Sequence, residues 1–285
     1  MAEGKLSYSE REARHEELAA QLADLMAARV AIGESYLEAH PTDLVVPYQR
    51  AVTSVERVAE TAAARAEAVA LNEGRVARLD NVALEFPVFG HEFAPDGPVI
   101  ALGTQPPLLA PVVAYFGMMP VLFNVFVTRA HQTEVVENSP HRFHLDPEDT
   151  ISFKLFLQLT DVDLDCGPFH ALPADRSRKL LDDLDYRGVT MIDDEVIDAS
   201  VGWDEVVAVT GPAGTVGMAD TTRCLHFGGR PRAAGRPLRE MVVYHYLLPT
   251  SSLMLDESRR NFLPQLAPTG GAAWDALIGA SLIPE

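Results

Sequence analysis

The 285-residue chain predicts a mainly β protein with flanking helices, a closed or double-sheet β architecture of the jelly-roll kind behind an N-terminal helical region. Three observations carry this reading. The first 72 residues are rich in Ala, Glu and Arg and helical in period, whereas from about Gly74 short β-rich runs alternate with Gly, Pro and Asp. No Gly-rich phosphate loop appears, because Gly211-Pro-Ala-Gly214 lacks a following Lys and helix and reads as a turn.

The elements follow in order. Leu18, Leu22, Leu25 and Met26 fall on one helical face and predict a helix from near Ser9 that fades by Gly33. Pro47, a good first-turn residue, opens a second predicted helix through Val52, Val55, Val58, Ala59 and Ala62 to the Asn72-Glu73-Gly74 break. Both helices read as packing elements, a lid or a dimer surface.

The candidate strands are Val76–Leu79, Val82–Phe86, Val99–Leu102, Val121–Thr128, Phe143–Asp146, Ile151–Thr160, Gly167–Leu172, Glu205–Val209, Thr215–Met218, Cys224–Phe227 and Leu238–Leu248. The apolar stretch from Pro106 to Val127 is interrupted by Pro107, Pro111 and Pro120 and carries Asn124, so it reads as a buried helix then a strand, with no membrane anchor. Asp182–Ser200 reads as a loop or helical insert, and the tail ends in a short helix around Ala272–Ile278. The expected organisation is a helical region over 1–73, a β core over 74–250 and a tail over 251–285.

With 23 Lys and Arg against 41 Asp and Glu, the formal charge is −18, a field that repels nucleic acid and anionic membrane surfaces. Sixteen of the acids lie between Asp146 and Glu205, against five bases, and are expected to form a solvated face. Two cysteines, Cys166 and Cys224, are too few for a disulfide framework, and the charged start lacks a signal-peptide core, so a cytoplasmic location is expected.

Among nine histidines, His15 and His40 lie among charges and are expected in solvent, while His245 reads as a hydrogen-bonded core residue. His144-Leu145-Asp146 differs in kind: on a strand, residues i and i+2 share a face, and a local bend lets an imidazole and a carboxylate converge on one cation. Chance gives about 0.6 such triplets at this composition, so a third ligand is required. His226 supplies it, and two His with one carboxylate form the facial triad of non-haem Fe(II) sites. A keto-acid co-substrate with a second carboxylate would need a cationic anchor. Arg239 opens the last long strand on the face shared with Met241, Val243 and His245; Arg236, followed by Pro237, is its rival. Lys154 lies inside an otherwise apolar strand and, pointing inward, would reach a co-substrate or substrate anion.

The run His144-Leu-Asp146-Pro-Glu-Asp, then Phe153-Lys-Leu-Phe-Leu-Gln-Leu-Thr-Asp-Val162, Asp165-Cys-Gly-Pro-Phe169 and Leu172-Pro173, followed by His226-Phe-Gly-Gly229 and Arg239, resembles the phytanoyl-CoA dioxygenase-like family of Fe(II)/2-oxoglutarate oxygenases over roughly residues 120–250. The resemblance implies a double-stranded β-helix (jelly-roll/cupin-like) core. It also implies Fe(II) held by His144, Asp146 and His226, and 2-oxoglutarate anchored by Arg239 or Arg236 with Lys154 as a further contact. The implied reaction consumes O2, hydroxylates an aliphatic C–H of a small molecule, such as a natural-product intermediate, and releases succinate and CO2. Asp146 implies hydroxylation over halogenation, since related halogenases carry a small residue there. Cys166 stands where the family usually has Asn, and Ala174-Asp-Arg176 replaces Gly-Ser-His. The acidic balance, with no Lys/Arg cluster, disfavours a CoA ester and points to a small uncharged or cationic substrate. A cupin-like metal hydrolase or isomerase and a non-catalytic small-molecule-binding barrel remain as alternatives, as do monomer and homodimer.

Overall fold

The computed structural model describes residues 8–55, 61–72, 84–89, 92–130, 141–146, 149–186, 191–230, 239–251, 253 and 271–278. In chain order these form α1 (Tyr8–Gln21), α2 (Ala23–Ala39), β1 (Val52–Val55), α3 (Thr61–Asn72), β2 (Leu84–Phe89), α4 (Pro98–Thr104), α5 (Pro106–Phe116), β3 (Val121–Ala130) and β4 (Ser152–Gln158). There follow β5 (Phe169–Ala171), α6 (Ala174–Asp183), α7 (Asp194–Ser200), β6 (Val207–Val209), β7 (Val216–Asp220), β8 (His226–Phe227), β9 (Glu240–Leu247) and α8 (Ala272–Leu277).

The strands make two antiparallel sheets, one in the order β1-β7-β4-β9-β3-β2 and a small one in the order β6-β5-β8. This is the double-stranded β-helix the sequence predicts. One face of the large sheet packs on helices: Phe153, Leu155 and Leu157 of β4, Met218 of β7 and Tyr244 and Tyr246 of β9 share a core with Val99, Ile100, Leu108, Leu109 and Val112 of α4 and α5. Tyr244 Oη donates to Val99 O (2.8 Å) and Tyr246 Oη to Gly103 O (2.7 Å), so both of these β9 phenols have a partner. Gly103 permits that approach, because a Cβ at this position would lie 2.2 Å from the Tyr244 ring.

The opposite face looks into the barrel, and its residues stand in rows across the ladder. Ala219, Lys154, His245 and Asn124 form one row; Gly217, Phe156, Val243 and Phe126 the next; Gln158, Met241 and Thr128 a third. Phe156 stacks on Phe169 of the small sheet, with ring centroids 4.0 Å apart, and closes the two sheets on each other.

Several elements depart from expectation. Val99–Leu102 is helical, within α4: Pro98 takes the first turn after Gly97, and Glu67 Oε2 accepts from Val99 N at 2.8 Å, which satisfies a helix-start amide. The helix expected from Pro47 does not begin there. Pro47 starts a turn whose carbonyl accepts from Ala51 N (2.7 Å), and the β-branched Val52-Thr-Ser-Val55 pairs with β7, leaving the helix to start at Thr61. Gly33 does not end the first helical region. It lies within α2 because a Cβ there would stand 2.8 Å from the Met118 backbone, so it serves close packing. Phe143–Asp146 makes only isolated bridges, Phe143 to Ile192 and His144 to His226, in place of a strand. The 182–200 insert includes the end of α6 and all of α7. Val76–Leu79 lies outside the described residues, as do Val82, Ala83 and Leu238.

Arg29, fully buried in α2, donates to Met119 O (2.7 Å), Pro120 O (3.2 Å) and Ala276 O, and so ties the N-terminal helices to the start of β3 and to α8. Among the described residues no single helix is long and apolar enough to cross a membrane; α4 and α5 together are, but they bend by 46° and bury their apolar side chains in the core.

Candidate metal centre

His144, Asp146 and His226 converge. Their ligand atoms all lie within 4.8 Å of one another, with Asp146 Oδ1 3.9 Å from His144 Nε2 and 3.7 Å from His226 Nε2. Two atoms each about 2.1 Å from one ion stand at most about 4.2 Å apart, so both separations from Oδ1 admit a shared divalent cation. The backbone sets this up. His144 and His226 exchange both main-chain hydrogen bonds (3.1 and 3.0 Å) across the bridge between the HxD segment and β8, which brings the two rings to 4.3 Å. Asp146 N donates to Thr221 O (2.9 Å), fixing the far end of the triplet.

Both imidazoles are oriented in the same way. Nδ1 of His144 lies 2.8 Å from Arg142 O, and Nδ1 of His226 lies 3.0 Å from Cys224 O. A carbonyl only accepts, so each Nδ1 carries the proton and each Nε2 presents its lone pair to the centre. Burial, then His144, pushes the His226 imidazolium down to about 3, so the ring is neutral near pH 7. For Asp146 burial works toward protonation, but Lys154 above all, with His226 and His144, outweighs it and holds the carboxyl well below the usual range. A neutral His226, the Asp146 carboxylate and the His144 Nε2, gathered in a largely buried site, form a donor set that suits a divalent transition metal.

Lys154 does point inward, and its Nζ lies 2.5 Å from Asp146 Oδ2, the oxygen turned away from the histidines. Arg239 is 1% exposed, and its Nε, Nη1 and Nη2 have no hydrogen-bond partner among the described residues. Burial alone pushes it down to about 10, which leaves it charged. An unpaired buried guanidinium is costly and implies an anionic partner. Its location fits one: a Cβ on Gly228 would stand 3.5 Å from Nη2, and Gly228 follows His226 by two residues, about 7 Å of extended chain. Arg239 thus lies beside the stretch of chain that carries His226. Arg236 lies outside the described residues.

Sequence reasoning missed three neighbours. Asn124 Oδ1 and Thr128 Oγ are buried without partners among the described residues on the inner face of β3, Asn124 in the row of Lys154 and Thr128 opposite Met241, two residues from Arg239. Two polar residues at same-face spacing in an apolar strand were the available signal. Arg11 of α1 donates through Nη1 to Asp149 O (2.8 Å) and Asp146 O (3.3 Å), while His15 Nδ1 shares a 2.6 Å hydrogen bond with Thr250 Oγ. The first helix thus lies against the metal-ligand segment, and His15 is partly buried where solvent was expected. His245 is the core histidine the sequence suggests, its Nε2 2.7 Å from Ser152 Oγ.

No protein-family model matches the chain, and no curated protein does either. Solved structures do. The chain is similar to the epimerase SnoN in complex with Fe3+, alpha ketoglutarate and nogalamycin RO, with a TM-score of 0.50 and 19% identity over 71% of this chain and 81% of that one. Further likenesses are to the non-heme alpha ketoglutarate dependent carbocyclase SnoK from nogalamycin biosynthesis (TM-score 0.49, 17% identity, 70% and 81% covered). EctD from S. alaskensis with bound Fe also matches (TM-score 0.49, 15% identity, 71% and 74% covered). At this identity the SnoN match speaks to the fold, which is the shared double-stranded β-helix.

Proposed function

We propose that the protein is a non-haem Fe(II)/2-oxoglutarate-dependent oxygenase acting on a small molecule, and that it falls in the phytanoyl-CoA dioxygenase-like group the motifs resemble. The observation that carries this is the pairing of a largely buried His144–Asp146–His226 triad with a buried Arg239 that has no hydrogen-bond partner among the described residues and lies against Gly228, two residues past His226. SnoN, which has this fold, was crystallised with Fe3+ and alpha ketoglutarate, and that supports the same pair here.

In this reading His144, Asp146 and His226 would hold the iron. Iron with 2-oxoglutarate and O2 supplies the oxidation of an unactivated C–H bond, releasing succinate and CO2. The chain's own residues do the rest. Arg239 pairs with the distal carboxylate, and this fixes the keto acid's orientation. Phe156, Phe126 and Val243, in the row between the metal and Thr128, line the intervening wall and exclude water. The carbonyls of Arg142 and Cys224 hold the ligand tautomers.

The test is anaerobic incubation with Fe(II) and 2-oxoglutarate. A weak visible charge-transfer band is expected, then succinate once O2 is admitted. Neither band nor succinate would favour a metal hydrolase, an isomerase or a binding barrel instead.

A further inference from the structure

Lys154 is one of three lysines in the chain, and its side chain on β4 is only 16% exposed. Its strand is held on both sides, by β7 and by β9. The small side chain of Ala219 beside it leaves room for the lysine stem. On the other side His245 engages Ser152 through Nε2. The ammonium reaches one oxygen of Asp146, Oδ2 at 2.5 Å, while Oδ1 faces both histidines at 3.7 and 3.9 Å. The two oxygens of one carboxylate are therefore divided between a cation of the protein and the centre of the triad.

We propose that Lys154 is a positioning residue of the metal centre: by holding Oδ2 it leaves Oδ1 alone for the metal and prevents Asp146 from closing on it with both oxygens. A carboxylate bound through both would take two coordination positions, and with the histidines would leave two of six open in place of three. Co-substrate chelation and O2 together need all three. The same contact has an opposing effect on affinity, because lysine and metal draw on one negative charge. Lys154 thus lowers the site's affinity for a divalent ion while keeping its vacancies. This inference rests on the triad being a metal site, and not on 2-oxoglutarate being the co-substrate.

Apo protein, wild type and Lys154→Met, is titrated anaerobically with Co(II), whose visible absorption reports coordination number and geometry. The variant is expected to bind Co(II) more tightly, by roughly tenfold or more since an unpaired buried carboxylate gains most from a new cation, and with a changed spectrum. An unchanged spectrum, or weaker binding, marks a plain structural ion pair and overturns the proposal. Should the variant fail to fold, a crystal structure of Co(II)-loaded wild type decides: Nζ on Oδ2 with Oδ1 alone on the metal upholds it, and a released Nζ or a two-oxygen carboxylate overturns it. Wild type that binds no Co(II) overturns both this inference and the metal-site reading. Co(II) bound at the triad with no 2-oxoglutarate band on Fe(II) removes the oxygenase reading and leaves the role of Lys154 standing.

Discussion

Gly228 and Arg239 meet inside the barrel, where a Cβ at Gly228 would stand 3.5 Å from Arg239 Nη2 and 3.7 Å from Nη1. A residue without a side chain, two positions past His226, is what leaves space beside that guanidinium.

Arg239→Met tests the anchor by stability. Removing a buried cation that has no partner among the described residues is expected to raise the melting temperature of ligand-free protein, equivalent to about 1–3 kcal/mol. The same change should abolish the extra stabilisation that 2-oxoglutarate gives the metal-loaded wild type. Thermal unfolding with and without the keto acid reads both, and retained stabilisation would move the anchor to Arg236.

Gly228→Ala tests the space. Its Cβ would sit at ordinary contact distance from the guanidinium, so the fold should hold to within about 0.5 kcal/mol. The methyl occupies the opening a carboxylate would use, and calorimetry should show 2-oxoglutarate binding weakened about tenfold or more, about 1.4 kcal/mol. Equal affinity would place the distal carboxylate elsewhere.

His226→Ala removes one Nε2 without touching Asp146 or Lys154. Melting scans with a divalent metal at about 100 times the wild-type dissociation constant should show roughly 2.7 kcal/mol of stabilisation for wild type and almost none for the variant. Equal shifts would mean that the ion binds outside the triad.

Asp149 carries a pH signature. It is 5% exposed, and burial pushes its carboxyl up to about 6 despite hydrogen bonds from Thr150 and Ser251. The folded state thus holds this proton more tightly than the unfolded chain, so stability falls as pH rises from about 4 to about 6, by on the order of 3 kcal/mol. Asp149→Asn keeps an acceptor for Thr150 N and should stabilise the protein at pH 7 but not at pH 4. Denaturant melts at the two pH values check it, and an equal effect at both would refute the shift.

Most of the β core was legible because alternation and β-branching mark strands wherever one face is apolar, as in β3, β4 and β9. The misreadings share a cause. Val99–Leu102 and Val52–Val55 have similar composition, and tertiary placement decides between helix against the sheet and strand within it. Gly33 looked like a stop because sequence cannot tell a capping glycine from one pressed on another backbone. At the site, residue spacing identified the triad and the inward Arg239. It could not reveal that Lys154 would meet Asp146, eight residues earlier, since that contact depends on how the HxD segment lies across β4.

Arg29 takes a carbonyl from Ala276, 247 residues further along the chain. At roughly 5–20 residues per second, that acceptor leaves the ribosome on the order of ten seconds or more after the arginine does. The N-terminal helices therefore complete their docking only after α8 has been made, and a deletion of α8 would be felt first at the opposite end of the fold.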